Sequence, residues 1–526
     1  MQQERVAGRP ISKVMENRPR QAFGLIIVKA RFAFLILLAL LVFSGSSLAR
    51  VIAIDLRDGS DLRIVGASRP GAAGDVNADG IPDFLIAGRL EGDARQGRVW
   101  VIFGRRPMPT KLRLSEPWTD GFLITGAKPD DQASEARAAG DVNGDGFDDI
   151  IVGASGADNN GRSSSGSAYV VFGKSSTEPV ELSAFDSSSQ GDAGFRIDGA
   201  ADRDLLGDEV DGLGDLNGDG LDDVGVASPF AAGVYVVFGK RDAMPVDLLT
   251  FDLALAGGRG FRIDTAAASA SGGVTVAGPG DVNGDALPDV LVGVVPSDTA
   301  TGSGFLVFGK SDPASVDVRD RGDWGFRMKG ALPGEAVGYA VSGGGDVNGD
   351  GLEDLLIGAP DPYRGGVGGA YVVFGKSTTD QVVLCSRCLE GEGFKIRGPF
   401  PHEDTLGATA GASLDDVGDV NDDGLADFIL SADMADNNGR LRSGSLYVVY
   451  GKRGSRMVDL TTLGARRGFR IDGARAYHGL GDAAGVGDIN GDGIPDVMGG
   501  ASGFGGEPRF GLNDPGATYL VYGPKQ

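Results

Sequence analysis

Short runs of consecutive apolar residues recur along the chain, each entered by an aspartate. They are Asp83-Phe-Leu-Ile-Ala-Gly88, Asp149-Ile-Ile-Val-Gly-Ala154, Asp223-Val-Gly-Val-Ala-Ser228, Asp289-Val-Leu-Val-Gly-Val294, Asp354-Leu-Leu-Ile-Gly-Ala359, Asp427-Phe-Ile-Leu-Ser-Ala432 and Asp496-Val-Met-Gly-Gly-Ala501. Such runs are too short for core helices and lack polar alternation, so they predict strands covered on both faces. A loop rich in Gly, Ser and Asp follows each run. A second strand then ends in an aromatic residue and glycine, at Phe103-Gly104, Phe172-Gly173, Phe238-Gly239, Phe308-Gly309, Phe374-Gly375, Tyr450-Gly451 and Tyr522-Gly523. A third pattern, Gly194-Phe-Arg-Ile-Asp198, is echoed from Gly121, Gly260, Gly325, Gly393 and Gly468. The stretch before each aspartate-entered run, such as Gly338-Tyr-Ala-Val-Ser-Gly343, supplies a fourth strand. Four short antiparallel strands per unit, repeated seven times, predict an all-β fold, a seven-bladed β-propeller.

The polar positions between the first two strands of each unit are as regular as the apolar ones. Asp346-Val-Asn348-Gly-Asp350-Gly351-Leu-Glu-Asp354 places side-chain oxygens at positions 1, 3, 5 and 9 of a short loop. Calcium is a hard cation that takes six to eight oxygens at about 2.3 to 2.6 Å, so this spacing predicts a calcium cage, completed by a main-chain carbonyl at position 7. The other copies are Asp75, Asn77, Asp79 and Asp83; Asp141, Asn143, Asp145 and Asp149; Asp215, Asn217, Asp219 and Asp223; Asp281, Asn283, Asp285 and Asp289; Asp419, Asn421, Asp423 and Asp427; and Asp488, Asn490, Asp492 and Asp496. Successive loops begin 66, 74, 66, 65, 73 and 69 residues apart. Seven copies at so even a period exclude chance and predict about seven Ca²⁺, one per blade. Six loops have glycine at position 6, where the chain must turn; the fourth has Ala286, which predicts a weaker site there.

Six of the Gly-Phe-Arg-Ile strands follow an aromatic-glycine strand, whereas the last unit ends at Tyr522-Gly-Pro-Lys-Gln526. The unused copy is Asp61-Leu62-Arg-Ile-Val-Gly66, ahead of the first loop. Pairing residues 61–66 with 519–522 closes the ring and removes an open edge, which sets the propeller at residues 50–526.

Residues 1–49 read differently. A leader with Arg18, Arg20, Lys29 and Arg31 runs into an apolar core from Phe32 to Phe43 and small residues ending at Ala49. This is the three-part form of an export signal, cleaved after Ala49 or retained as a membrane anchor. A secreted, periplasmic or cell-surface protein is therefore expected. The remainder carries 42 basic and 71 acidic residues, so nucleic acid is disfavoured as a partner. Bound calcium would offset part of that charge. Cys385 and Cys388, the only cysteines, predict a local disulfide in an exported protein, and their β-like flanks argue against redox catalysis.

These residues resemble the FG-GAP repeats of integrin α-subunit N-terminal propellers and their bacterial relatives. Gly-Ala-Pro stands at Gly358-Ala359-Pro360, with Gly-Ala-Ser at Gly153 and Gly500. The resemblance implies that the calcium loops lie opposite the main ligand surface. It departs in that every blade here carries a loop, and no integrin-like stalk follows.

Three further features stand outside the repeat pattern. His402 and His478, with Glu403 and Asp404, could form a site, although loop histidines usually have no such role. Arg321-Gly322-Asp323 spells an adhesion tripeptide but runs straight into a strand. Asn159-Asn160-Gly161-Arg162 and Asn437-Asn438-Gly439-Arg440 read as turn chemistry. The sequence thus leads to a monomeric, non-enzymatic module for a protein or glycan ligand. The alternative is an enzyme acting on polysaccharide, or another extracellular substrate, at the channel mouth.

Overall fold

A computed structural model describes residues 53–57, 60–65, 67–88, 95–109, 111–114, 120–186, 193–250, 258–265, 273–295, 301–320, 322–361, 366–399, 409–503 and 516–524. The proposed export signal, His402, Glu403, Asp404 and Arg321 lie outside them. The described residues form seven small sheets, the blades of a β-propeller.

Blade one shows the pattern. Arg69–Gly74 lies innermost, followed outward by Asp83–Gly88, Arg98–Ile102 and Gly121–Thr125, all antiparallel to their neighbours. The innermost strands touch one another around the ring, and the last, Leu480–Gly487, returns to the first, Arg69–Gly74. The aspartate-entered run is buried along its whole length because a blade stacks on each of its faces. The outer strands are half in water and alternate in burial, as in Gly260–Asp264.

The hydrophobic core lies between blades. Each junction holds its own cluster: Leu85, Val101 and Phe122 of blade one meet Ile150, Val152 and Tyr169 of blade two. The same construction closes the ring, where Leu62, Ile64 and Leu520 pack with Phe84, Ile86 and Trp100.

Two expectations need correction. Leu62–Val65 pairs with Ala517–Leu520, two residues earlier than 519–522. Leu62 then faces Leu520, and Ile64 stays on the buried side. Each blade also has five strands where four were expected, because a short parallel strand from the next repeat covers the outer edge. Val180–Glu181, Val246–Asp247, Val316–Asp317, Val382–Leu384 and Val458–Asp459 serve blades one to five. Ala53–Asp55 covers blade six and Lys111–Arg113 blade seven. The ring is thus joined by two N-terminal segments in successive blades. The added strand hides main-chain groups that an edge would expose.

Candidate metal centre

Every predicted loop connects the first two strands of its blade. In loop one, the Asp75 carboxylate accepts the main-chain N–H groups of Asp79 and Gly80 at 2.9 and 2.8 Å, and Asp79 accepts that of Ile81. The other loops repeat these bonds residue for residue. Position 6 needs a positive φ throughout: 84° at Gly80, 74° at Ala286 and 91° at Gly351. Position 4 needs one as well, a requirement the sequence reading missed, with Ala78 at 55° and Asp422 at 56°.

The aspartate at position 9 is the buried member. Asp83, Asp149, Asp223, Asp289, Asp354, Asp427 and Asp496 are all fully buried. Asp83 accepts from Val76 N–H at 3.0 Å and from Gly104 N–H at 2.7 Å. Gly104 is the glycine of the aromatic-glycine pair, and Gly173, Gly239, Gly309, Gly375, Gly451 and Gly523 make the same bond. The pair therefore does more than end a strand: its glycine anchors the last carboxylate of the loop. A Cβ at Gly104 would stand 2.2 Å from the Pro82 carbonyl oxygen, so no larger residue fits.

Burial, and then repulsion from the carboxylates at positions 5 and 1, push these buried acids up, Asp83 to about 7 and Asp149 to about 8, against the N–H bonds that hold them down. Asp223, Asp289, Asp354, Asp427 and Asp496 are raised from the same burial, to between about 7 and about 8. Among the described residues no three carboxylate, imidazole or thiol groups stand close enough to hold a metal by themselves. A cation here therefore needs the neutral oxygens too. Asn77 supplies one: its Oδ1 is buried and meets no hydrogen-bond donor. At Asn143, Asn283 and Asn348 the amide Nδ2 faces the position-5 carboxylate, and a half-turn about χ2 exchanges nitrogen for oxygen. The donor set is all oxygen, concentrates negative charge and includes an orphaned acceptor. It fits Ca²⁺, which the side chains of positions 1, 3, 5 and 9 and the position-7 carbonyl would hold.

Other features fall into place outside the loops. Cys385 and Cys388 are disulfide-bonded. His478 is not a surface residue: it is 2% exposed, with its ring edge-on to Tyr519. Asp323 is exposed just ahead of the strand Gly325–Gly330. The two Asn-Asn-Gly-Arg stretches are clasps as well as turns. Asn160 bridges Asp198 and Asp247, and Arg162 pairs with Asp247; Asn438 bridges Asp472 and Asp55, and Arg440 grips Asp55 with both Nη atoms. Each ties its loop to the outer and fifth strands of its own blade.

A lysine signal also went unread. Lys174, Lys240, Lys310, Lys376 and Lys452 directly follow an aromatic-glycine pair, and each ammonium stacks on the strand phenylalanine of the preceding blade at 3.6 to 4.6 Å.

The channel along the axis is a cavity of about 490 Å³ lined by all the innermost strands. Arg69 and Arg137 meet Glu135, Glu209, Asp211, Asp415 and Asp482 there. Burial raises Glu209 to about 8, Asp211 to about 7, and Asp415 and Asp482 to about 6, with Arg137 opposing each shift.

FG-GAP repeats match at residues 71–102, 138–171, 337–373 and 480–521, in blades one, two, five and seven. Integrin alpha-PS2 of Drosophila melanogaster is 30% identical over 179 residues, 33% of this chain and 11% of that protein. Integrin alpha pat-2 of Caenorhabditis briggsae is 30% identical over 256 residues, 47% of this chain and 19% of that one. Phosphatidylinositol-glycan-specific phospholipase D of Bos taurus is 34% identical over 109 residues, 20% of this chain and 12% of that one. The matched part thus spans less than a fifth of each relative. Four blades of this propeller thus carry FG-GAP repeats, and the chain is similar over part of its length to integrin alpha subunits.

Proposed function

We propose that this chain is an exported, calcium-stabilised propeller that binds a protein or glycan partner at the cell surface or in the periplasm, as an adhesion or recognition module. The observation that carries the calcium part is the fully buried position-9 aspartate in all seven loops, pressed by like charges. A divalent cation turns that repulsion into attraction, so the loops act as rivets that fix the first two strands of each blade.

The end opposite the loops is the recognition surface in this reading. Connections there vary in length between blades, and Phe230, Leu332 and Leu441 are 64%, 52% and 45% exposed on them. Exposed apolar side chains within a polar surface suit protein or glycan contact. Integrin alpha subunits are named among its relatives, and their resemblance supports a binding role. No helix of the described residues is long and apolar enough to cross a membrane. Export rests on the leader sequence.

A relative named as a phospholipase D sustains a second reading, in which the propeller accompanies or performs catalysis. The carboxylates of the channel would be its place. Calcium-loaded protein should be incubated with arrays of glycans and extracellular proteins, beside hydrolysis assays on the same ligands. Calcium-dependent capture without turnover is the expected result. Turnover lost on Glu209→Gln or Asp211→Asn would overturn the non-enzymatic reading.

A further inference from the structure

The calcium loops touch one another, and they do so unevenly. Position 8 of each loop reaches position 1 of the loop before it. Asp148 N–H donates to the Asp75 carbonyl at 3.3 Å, and Asp75 N–H donates back to Asp148 Oδ2 at 2.7 Å. Asp222 and Asp141 repeat the pair at 3.2 and 2.8 Å. Glu353 N–H donates to the Asp281 carbonyl at 3.3 Å and Ala426 N–H to that of Asp346 at 3.1 Å. At the remaining junctions position 8 is Pro82, Pro288 or Pro495, which has no N–H to give. These rings still occupy the same place, since a Cβ built on Gly487, Gly214 or Gly418 would meet them at 2.9 to 3.2 Å. Loops one to three are therefore hydrogen-bonded in series, loops four to six form a second series, and loop seven is joined to neither.

We infer that calcium fills the ring as two cooperative groups of three loops, with the prolines as insulators and loop seven binding by itself. The inference rests on the calcium reading above. Position 8 adjoins the buried position-9 ligand, and position 1 supplies the first carboxylate of the neighbouring loop. Calcium in one loop fixes position 9, position 8 is fixed with it, and the main chain of position 1 next door is held on both its N–H and C=O sides. The second loop then orders fewer residues when its own ion arrives, so its affinity rises without any larger change of shape. The doubly bonded junctions, one to two and two to three, carry the stronger coupling, about five- to tenfold. The singly bonded ones carry less.

Hydrogen exchange read loop by loop across a calcium titration of the full chain tests this. Loops one to three should become protected together and steeply, loops four to six together but less steeply, and loop seven along a simple one-site curve. Asp148→Ala should speed exchange at Asp75 even in chelator, and should lower calcium affinity at loop one about fivefold. Pro288→Asp is the mirrored change, tolerated because Asp stands at this position in two other loops, and should join loop three to loop four. Seven independent one-site curves, or an Asp148→Ala effect confined to loop two, would overturn the coupling while leaving calcium binding intact. If no loop gains protection up to millimolar calcium, the calcium reading itself fails and the coupling with it.

Discussion

The two ends of the propeller are built by opposite rules. At the loop end, the hydrogen bonds that the position-1 carboxylate accepts from the N–H groups of positions 5 and 6 recur in every blade. At the other end, the connection between the second and third strands is as short as residues 229–232 in blade three and as long as 502–516 in blade seven. Uniformity fits a mechanical task repeated at each junction. Variation fits a surface shaped to one partner. In the reading proposed above, the uniform end would hold the metal-dependent part of the stability and the variable end would hold recognition, so calcium removal and ligand binding should be separable.

Removing calcium is the largest way to test that separation. A site filled at a hundredfold excess over its dissociation constant adds about 2.7 kcal/mol to the folded state, and the repeats multiply this. Excess EDTA should therefore lower the melting temperature by well over ten degrees relative to millimolar calcium, by about 2 to 4 °C for each kcal/mol or somewhat less in a chain this long. Equal melting curves in the two conditions would remove calcium from the account.

The next largest effect comes from the variable end, at a clasp whose role is stability. Arg440 donates to both Asp55 oxygens, at 3.0 and 2.8 Å, with 10% of its side chain exposed. Removing Arg440 leaves the partly exposed Asp55 with Asn438 and the more distant Arg57, so Arg440→Met should cost about 2 kcal/mol in chemical denaturation. Hydrogen exchange should show residues 53–55 released while the calcium loops hold. Arg162→Met, its counterpart in blade two, should cost less because Asp247 is 34% exposed against 20% for Asp55. If both variants lose the same stability, solvent access does not set the strength of the clasp.

How far the sequence reveals all this follows the same division. The propeller was legible because the strands are buried on both faces, and the loops because alternating carboxylates leave a fixed spacing. The fifth strand was not. Its signal is two or three residues, seen in Val246-Asp247-Leu248 and again in Ile54-Asp55-Leu56, too short to announce a strand without its neighbour. The extent of the closing pair was harder to read than its place: Leu62 sits opposite Leu520 as Phe195 sits opposite Val170, but the pairing runs back to Ala517, where small residues give no strand signal. His478 read as a surface residue because position in a loop says nothing about what packs over it. The clasps and the links between loops pair residues from different repeats, which no inspection of a single repeat can show.

A third, smaller effect separates the channel from both ends. Burial raises Asp211 to about 7 and Asp415 to about 6, and Arg137 opposes both shifts. An acid whose folded pKa is raised contributes stability that is present at low pH and lost as pH climbs through the folded value. Arg137→Met removes the opposing charge, so its deficit should grow from pH 5 toward pH 8, on top of the loss of the Arg137–Glu135 ion pair. Because 41% of the Arg137 side chain remains exposed, the cost at pH 8 should be about 1 to 2 kcal/mol, below that of a fully buried pair. Denaturation in chelator at both pH values measures it, since loop titration is common to parent and variant and cancels. A deficit that shrinks with rising pH would show that Arg137 does not hold these carboxylates.

The smallest expected effect concerns a single methyl group. Ala286 sits at φ 74°, where six other loops have glycine, and hydrogen bonds hold it there: its own N–H to Asp281 Oδ2 at 2.8 Å and that of Leu287 to Asp285 Oδ1 at 3.0 Å. A non-glycine residue in this region is strained by about 1 kcal/mol. Ala286→Gly should relieve that strain, but glycine also gains freedom in the unfolded chain, which returns about 0.4 to 1 kcal/mol. Global stability should therefore change little. Calcium affinity at loop four escapes that offset, because only the folded states enter it, and it should rise to the extent that the ion holds φ more tightly than the free loop does. Gly351→Ala in blade five is the mirror test. No atom lies within 4 Å of the added Cβ, so any loss comes from the backbone and not from a clash. Calorimetry on both variants should show loop four strengthened and loop five weakened by similar factors. If both affinities stay at the parent values, the ion does not tighten this turn, and the glycine at position 6 serves folding alone.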